Sequence, residues 1–165
     1  MTTLMREYSG NPSSIHACGR KVRATIEQSR KTIANLIGAS IGEIFFTSGG
    51  TEANNMALVC SVRDLNVKRI ITSPIEHHCI LHVTDKLQEE GVEIVMVDVD
   101  KKGRLDYAHL EKLLEDKSKK TLVSLMHANN EVGTMSDMSR ISQLCETYEA
   151  LYHSDTVQTL SLIHI

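Results

Sequence analysis

Apolar positions along the chain follow two alternating rhythms. From Ser13 to Ile37, Val22, Ile26, Ile33 and Ile37 recur on one side of a helical wheel, which predicts a helix capped by Ser13 or Ser14 and stopped at Gly38. Short β-branched or aromatic runs then alternate with longer amphipathic ones. "EIFF" at 43–46, "RIITS" at 69–73, "VEIVMVDV" at 92–99, "TLVSLMH" at 121–127 and "ALYHSD" at 150–155 read as strands. Between them the spacing predicts helices from about Thr51, from His78 to Glu90, from Asp106 to Asp116 and from Ser136 to Glu149. Strands separated by single helices imply right-handed crossovers and a mostly parallel sheet covered on both faces, hence a three-layer α/β/α fold. No internal repeat, low-complexity linker or second domain is visible in this pattern.

Composition narrows the function classes. The 165 residues are 41% apolar, enough for one real core. With 18 Lys and Arg against 21 Asp and Glu, the net charge of -3 offers no large footprint for nucleic acid or an anionic membrane. Arg20, Lys21, Arg23, Arg30 and Lys31 fall at helical spacing and read as a solvated helix face. No apolar run reaches the length of a membrane span, and the first residues lack the apolar core of a signal peptide, so a cytoplasmic protein is expected. Cys18, Cys60, Cys79 and Cys145 form no Cys-x-x-Cys pair and are expected to be free, buried thiols.

Candidate chemistry gathers where each expected strand stops. After "EIFF" come Thr47, Ser48, Gly49, Gly50 and Thr51; after "RIITS", Glu76, His77 and His78; after "TLVSLM", His127, Asn129, Asn130 and Glu131; after "ALY", His153, Asp155 and Gln158. In open α/β sheets these positions share the carboxyl edge, where ligands bind. Paired glycines opening a helix bring backbone N–H groups and a positive dipole end to an anion such as a phosphate. A phosphate cradle, an imidazole, an amide and one carboxylate together meet the needs of pyridoxal phosphate: a phosphate to grip, a ring face to cover, a phenolic oxygen to bond, and a ring nitrogen to keep protonated.

The stretches "GNPSSIHACGR", "FTSGGTEANN", "IEHHCIL", "HANNEVGT" and "HSDTVQT" stand in the order and approximate spacing of the cysteine desulfurases, and over Ser9 to about Thr159 the chain resembles that group of class V aminotransferase-like enzymes. The resemblance implies part of a fold type I large domain, pyridoxal 5'-phosphate as cofactor, a homodimer, and conversion of L-cysteine to L-alanine and an enzyme-bound persulfide. It also implies roles. Gly50 and Thr51 correspond to the phosphate grip, His77 to the catalytic histidine over the ring, Asn130 rather than Asn129 to the amide near the cofactor oxygen, Asp155 to the partner of the ring nitrogen, and Gln158 to a donor for the phenolic oxygen. Taken singly, each has a plainer reading: the asparagines close a turn, Asp155 and Gln158 cap a helix, His77 lies in an exposed loop.

The chain also departs from the family. The Schiff-base lysine of the family lies in a Ser-Gly-His-Lys type segment beyond the "HSDTVQT" motif, and its persulfide cysteine lies further on. Residues 1–159 are therefore expected to be a partial cofactor-binding domain without the small C-terminal domain, and the 165-residue chain by itself is expected not to turn over. "LSLIHI" at 160–165 breaks the pattern and is encoded by the end of a transposon library adapter, which makes it an expected non-native tail. Two readings stand beside this one: a lyase for selenocysteine or another β-substituted amino acid, and, from another class, a non-catalytic α/β module that binds phosphate at Thr51 or a metal at His78, Cys79 and His82. The segments that would choose a sulfur acceptor are not among these motifs.

Overall fold

The computed structural model of the chain describes residues 10–160, so most of the expected tail lies outside the described residues. The chain divides into two compact units, Met1–Phe46 and Thr47–Ile165.

In the first unit, helix α1 spans Ala17–Ile37. It starts later than its apolar stripe suggests because the Nδ1 of His16, not a serine, caps it by accepting from the Gly19 N–H at 3.3 Å. It stops where expected, at Gly38, whose φ of 70° is the left-handed conformation that glycine adopts at low cost. The expected strand at 43–46 is absent. In its place Ile41–Glu43 forms a 3-10 turn, closed by the Glu43 carboxylate accepting from the Ser40 N–H and hydroxyl at 2.7 Å. The following apolar residues are tied to α1 instead of to a neighbouring strand: Arg30 donates to the Ile44 carbonyl, and its guanidinium lies 4.9 Å from the Phe46 ring centre.

The second unit is the α/β layer structure that the alternation predicts. Its elements are α2 (Gly50–Arg63), β1 (Arg69–Thr72), α3 (His78–Glu89), β2 (Glu93–Met96), α4 (Tyr107–Leu114), β3 (Thr121–Ser124), α5 (Met138–Thr147) and β4 (Leu151–His153). The four strands are parallel in the order β2-β1-β3-β4, with Ile70 opposite Ile94 and Leu122, and Val123 opposite Tyr152. Successive side chains point to opposite faces. Ile71 and Val123 therefore join Leu110 and Leu114 of α4 and Ile141 and Cys145 of α5, whereas Ile70 and Leu122 join Leu58 of α2 and Ile80, Val83 and Leu87 of α3. Burying each of these large side chains stabilises the fold by about 1.5–3 kcal/mol. Of the four thiols only Cys145 is buried, within the first cluster; Cys79 is half-buried against the second, and Cys18 and Cys60 are exposed.

Chain order fixes where a ligand fits. From β1 the chain runs outward through α3 to β2, then returns across β1 through α4 to β3. The order reverses between β1 and β3, and open α/β sheets bind ligands in the crevice beyond the carboxyl ends of the strands at such a point.

Candidate functional site

Four segments converge on that crevice. Gly50, Thr51, His77, Asn130, Asp155 and Gln158, the residues singled out from the sequence, all line one cavity of about 180 Å3. Asn54, Cys79, Met126 and Val157 complete its wall.

Helix α2 presents its N-terminus here. Its first turn leaves backbone N–H groups without intrahelical acceptors, and the exposed Thr51 hydroxyl stands beside them. Glu52 does not compete with an incoming anion for these donors: its carboxylate is turned back onto the Ser48 N–H and hydroxyl at 2.6 Å, and these bonds hold it below the usual carboxylate range. The two glycines do different jobs. A Cβ on Gly50 would sit 2.6 Å from Val157 Cγ2, so Gly50 makes room for the loop after β4, whereas nothing lies within 4 Å of the same position on Gly49.

Asp155 is 9% exposed and fixed at both oxygens: Oδ1 accepts from the Val157 N–H at 3.0 Å, and Oδ2 from the Asn54 side-chain amide at 2.8 Å. Asn54 is a site residue that the sequence reading missed. It sits one helical turn from Gly50 within the quoted "GGTEANN" stretch, on the side of α2 that faces inward. Its amide also lies 3.3 Å from the Cys79 sulfur, so it links α2, α3 and the end of β4.

His77 is exposed and caps α3 through Nδ1, which accepts from the Cys79 N–H at 3.2 Å. That acceptor role places the ring proton on Nε2. The adjacent asparagines divide their work. Asn129 is buried and closes the turn after β3, its Oδ1 accepting from Glu131 and Val132 N–H at 2.8 Å and its amide donating to the Ile75 carbonyl at 2.7 Å, while exposed Asn130 faces the cavity. His127 and His153 are used internally, against Thr159 Oγ1 at 2.9 Å and Ser124 Oγ at 3.0 Å. Burial lowers the His153 pKa, with Asp155 acting in the opposite direction.

Glu76, next to His77 in the segment after β1, is 6% exposed. Burial pushes its carboxyl up to about 7; bonds from Ser73 Oγ and the Met126 N–H oppose that rise, and the Asp155 charge adds to it. The rings of His78 and His82 stack 6.0 Å apart, but among the described residues no group of three His, Cys, Asp or Glu side chains is placed to hold a metal ion.

A helix N-terminus and a fixed carboxylate facing one crevice suit a flat, phosphorylated group with a protonated ring nitrogen. A family model described as aminotransferase class-V matches residues 1–165. The chain belongs to that family. Among class-V relatives, cysteine desulfurase IscS of Dictyoglomus turgidum is 43% identical over 167 residues, covering 100% of this chain and 42% of the relative. The putative cysteine desulfurase IscS 1 of Bacillus subtilis is 43% identical over 159 residues, covering 94% of this chain and 41% of the relative. A solved NifS-like protein superposes with a TM-score of 0.88 at 36% identity, over 96% of this chain and 44% of that one. SspA in complex with cysteine gives 0.84 at 28% identity, over 94% of this chain and 45% of that one. The chain thus spans about two fifths of the length of the class-V relatives it matches. No described helix is long and apolar enough to cross a membrane.

Proposed function

We propose that the protein is a cysteine desulfurase that uses pyridoxal 5'-phosphate to convert L-cysteine to L-alanine, its sulfur passing to an enzyme thiol as a persulfide for iron–sulfur cluster or thio-cofactor synthesis. The observation that carries this reading is the convergence of the α2 N-terminus and the doubly held Asp155 on one cavity. The cysteine desulfurase names of its relatives support the reaction, and a related protein bound to cysteine supports the substrate.

When bound, pyridoxal phosphate supplies a protonated ring that draws electrons from the substrate carbon undergoing reaction. The residues of this chain take defined parts. The Gly50 and Thr51 N–H groups and the Thr51 hydroxyl bind the phosphate. Asp155 keeps the ring nitrogen protonated, and Asn54 keeps Asp155 aimed. His77, with its proton on Nε2, would cover the ring face and exchange that proton; Asn130 would stand near the cofactor oxygen, and Gln158 would donate to the phenolic oxygen. The protein works as a homodimer in the cytoplasm.

The test is alanine release. Protein expressed from the native gene, loaded with the cofactor and given L-cysteine and a reductant, is expected to form alanine and sulfide in equal amounts, and Asp155→Ala is expected to abolish both. Turnover of selenocysteine or another β-substituted amino acid with L-cysteine left intact would overturn the substrate assignment.

A further inference from the structure

Among the buried groups near the crevice that the roles above leave unused, Glu76 carries a carboxylate. Its Oε1 accepts twice, from Ser73 Oγ at 2.7 Å and from the Met126 N–H at 3.1 Å, and so bridges the segment after β1 to the segment after β3. Its Oε2 is buried and has no hydrogen-bond partner among the described residues. A second strut runs beside it, from the Asn129 amide to the Ile75 carbonyl. A further cavity of about 180 Å3 lies between these two loops, lined by Glu76, His77, His78, Asn129, Asn130 and Glu131 among others.

We propose that Glu76 is a positioning residue of the crevice: it ties the loop carrying His77 to the loop carrying Asn130 and couples, through space, to the charge held at Asp155. This rests on the cofactor reading above. The two struts fix the width of the crevice where strand order reverses, and only the Glu76 strut carries an ionisable group. The ionisable groups that face it are Asp155 and Tyr152 from the β4 side, with Tyr107 and Cys145 of the opposite layer reaching Tyr152, and His77, His78 and Glu131 around the shared cavity. A buried carboxyl with one bare oxygen keeps its proton near neutral pH, and a like charge at Asp155 strengthens that hold. A cation set against Asp155 offsets its charge and eases ionisation of Glu76. By linkage, ionised Glu76 then favours that cation, and affinity for a group with a protonated ring nitrogen rises with pH across the Glu76 titration.

The experiment uses protein expressed from the native gene, stripped of cofactor and labelled with 13C at glutamate carboxyl carbons; the Glu76 signal is the one missing from Glu76→Gln. That variant retains an oxygen acceptor for Ser73 and Met126. The carboxyl signal is expected to titrate near pH 7 and to move to lower pH when pyridoxal 5'-phosphate is added. The affinity for that cofactor, followed by its absorbance, is expected to rise by about twofold or more between pH 6 and 8 relative to Glu76→Gln. Glu76→Gln is expected to lose that part of the pH profile. Cofactor binding with an unmoved Glu76 midpoint, or superposable profiles for the two proteins, would overturn the coupling alone. Failure of the protein to bind pyridoxal 5'-phosphate would overturn the cofactor reading and this inference with it.

Discussion

Gly50 and Glu76 show how single residues set the limits of this site. Gly50 is required for packing: Gly50→Ala drives a methyl against Val157, and since Val157 is exposed and can rotate, the cost is expected at the low end of overpacking, about 1 kcal/mol. Urea unfolding of the double variant with Val157→Ala should recover most of that loss; equal losses in the single and double variants would mean that backbone freedom, not space, is what Gly50 provides. Glu76 makes stability depend on pH. Its carboxyl rises from 4.5 to about 7 on folding, so between those values the native state holds a proton that the unfolded chain has released. The stabilisation is complete below pH 4.5 and is lost as pH rises through 7, a change of about 3 kcal/mol. Unfolding free energies of wild type and Glu76→Gln, compared at pH 5 and pH 8, are expected to shift by about 2.5 kcal/mol of that amount in favour of the variant at the higher pH. A constant difference would contradict the assignment.

At the scale of elements, what was legible in the sequence follows from where the energy comes from. Helices and strands of the second unit were readable because each has an apolar face that the sheet must cover, and period and burial agree at Ile70, Ile71, Leu122 and Val123. "EIFF" was misread because a short apolar run carries no period of its own, and the local bonds of Ser40 to Glu43 and of Arg30 to Ile44 decide its path. Start points slipped for a similar reason. The α1 cap is a histidine, a residue that propensity does not favour there, and the α3 cap is His77, whose plainer role as a loop residue and whose place at the cavity turn out to be compatible. His77, Asn130, Asp155 and Gln158 were legible through their place after strands, and Gly50 and Thr51 through the paired glycines that open a helix, whereas Asn54 was not, since a polar residue inside a helix looks like surface until its partner, 101 residues away, is known. Element packing also sorts the thiols. Burial on α5 pushes Cys145 up to about 11, while Cys18 on α1 and Cys60 on α2 are exposed. A thiol reagent at pH 8 should label Cys18 and Cys60 rapidly and Cys145 only after unfolding; fast labelling of Cys145 in the folded protein would show that the α5 face opens.

At the scale of the molecule, the reversal of strand order between β1 and β3 makes the site, and no single element holds it. The α2 N-terminus walls one side of the cavity, Asp155 in the segment after β4 another, and His77 and Asn130 come from the segments after β1 and β3, so the crevice exists only once all three crossovers have formed. Asn54 joins the first two sides directly, which gives α2 and β4 a shared fate: Asn54→Leu leaves Asp155 Oδ2 buried with one donor fewer, a loss of about 1–3 kcal/mol. The proposed grip on pyridoxal 5'-phosphate at both ends of this crevice is open to an absorbance titration. Protein from the native gene is expected to bind the cofactor with a shifted absorbance band, inorganic phosphate is expected to compete, and Asp155→Ala is expected to bind more weakly and lose the shift. Binding that ignores both phosphate and the Asp155 substitution would place the cofactor outside this crevice and rule out the proposed grip.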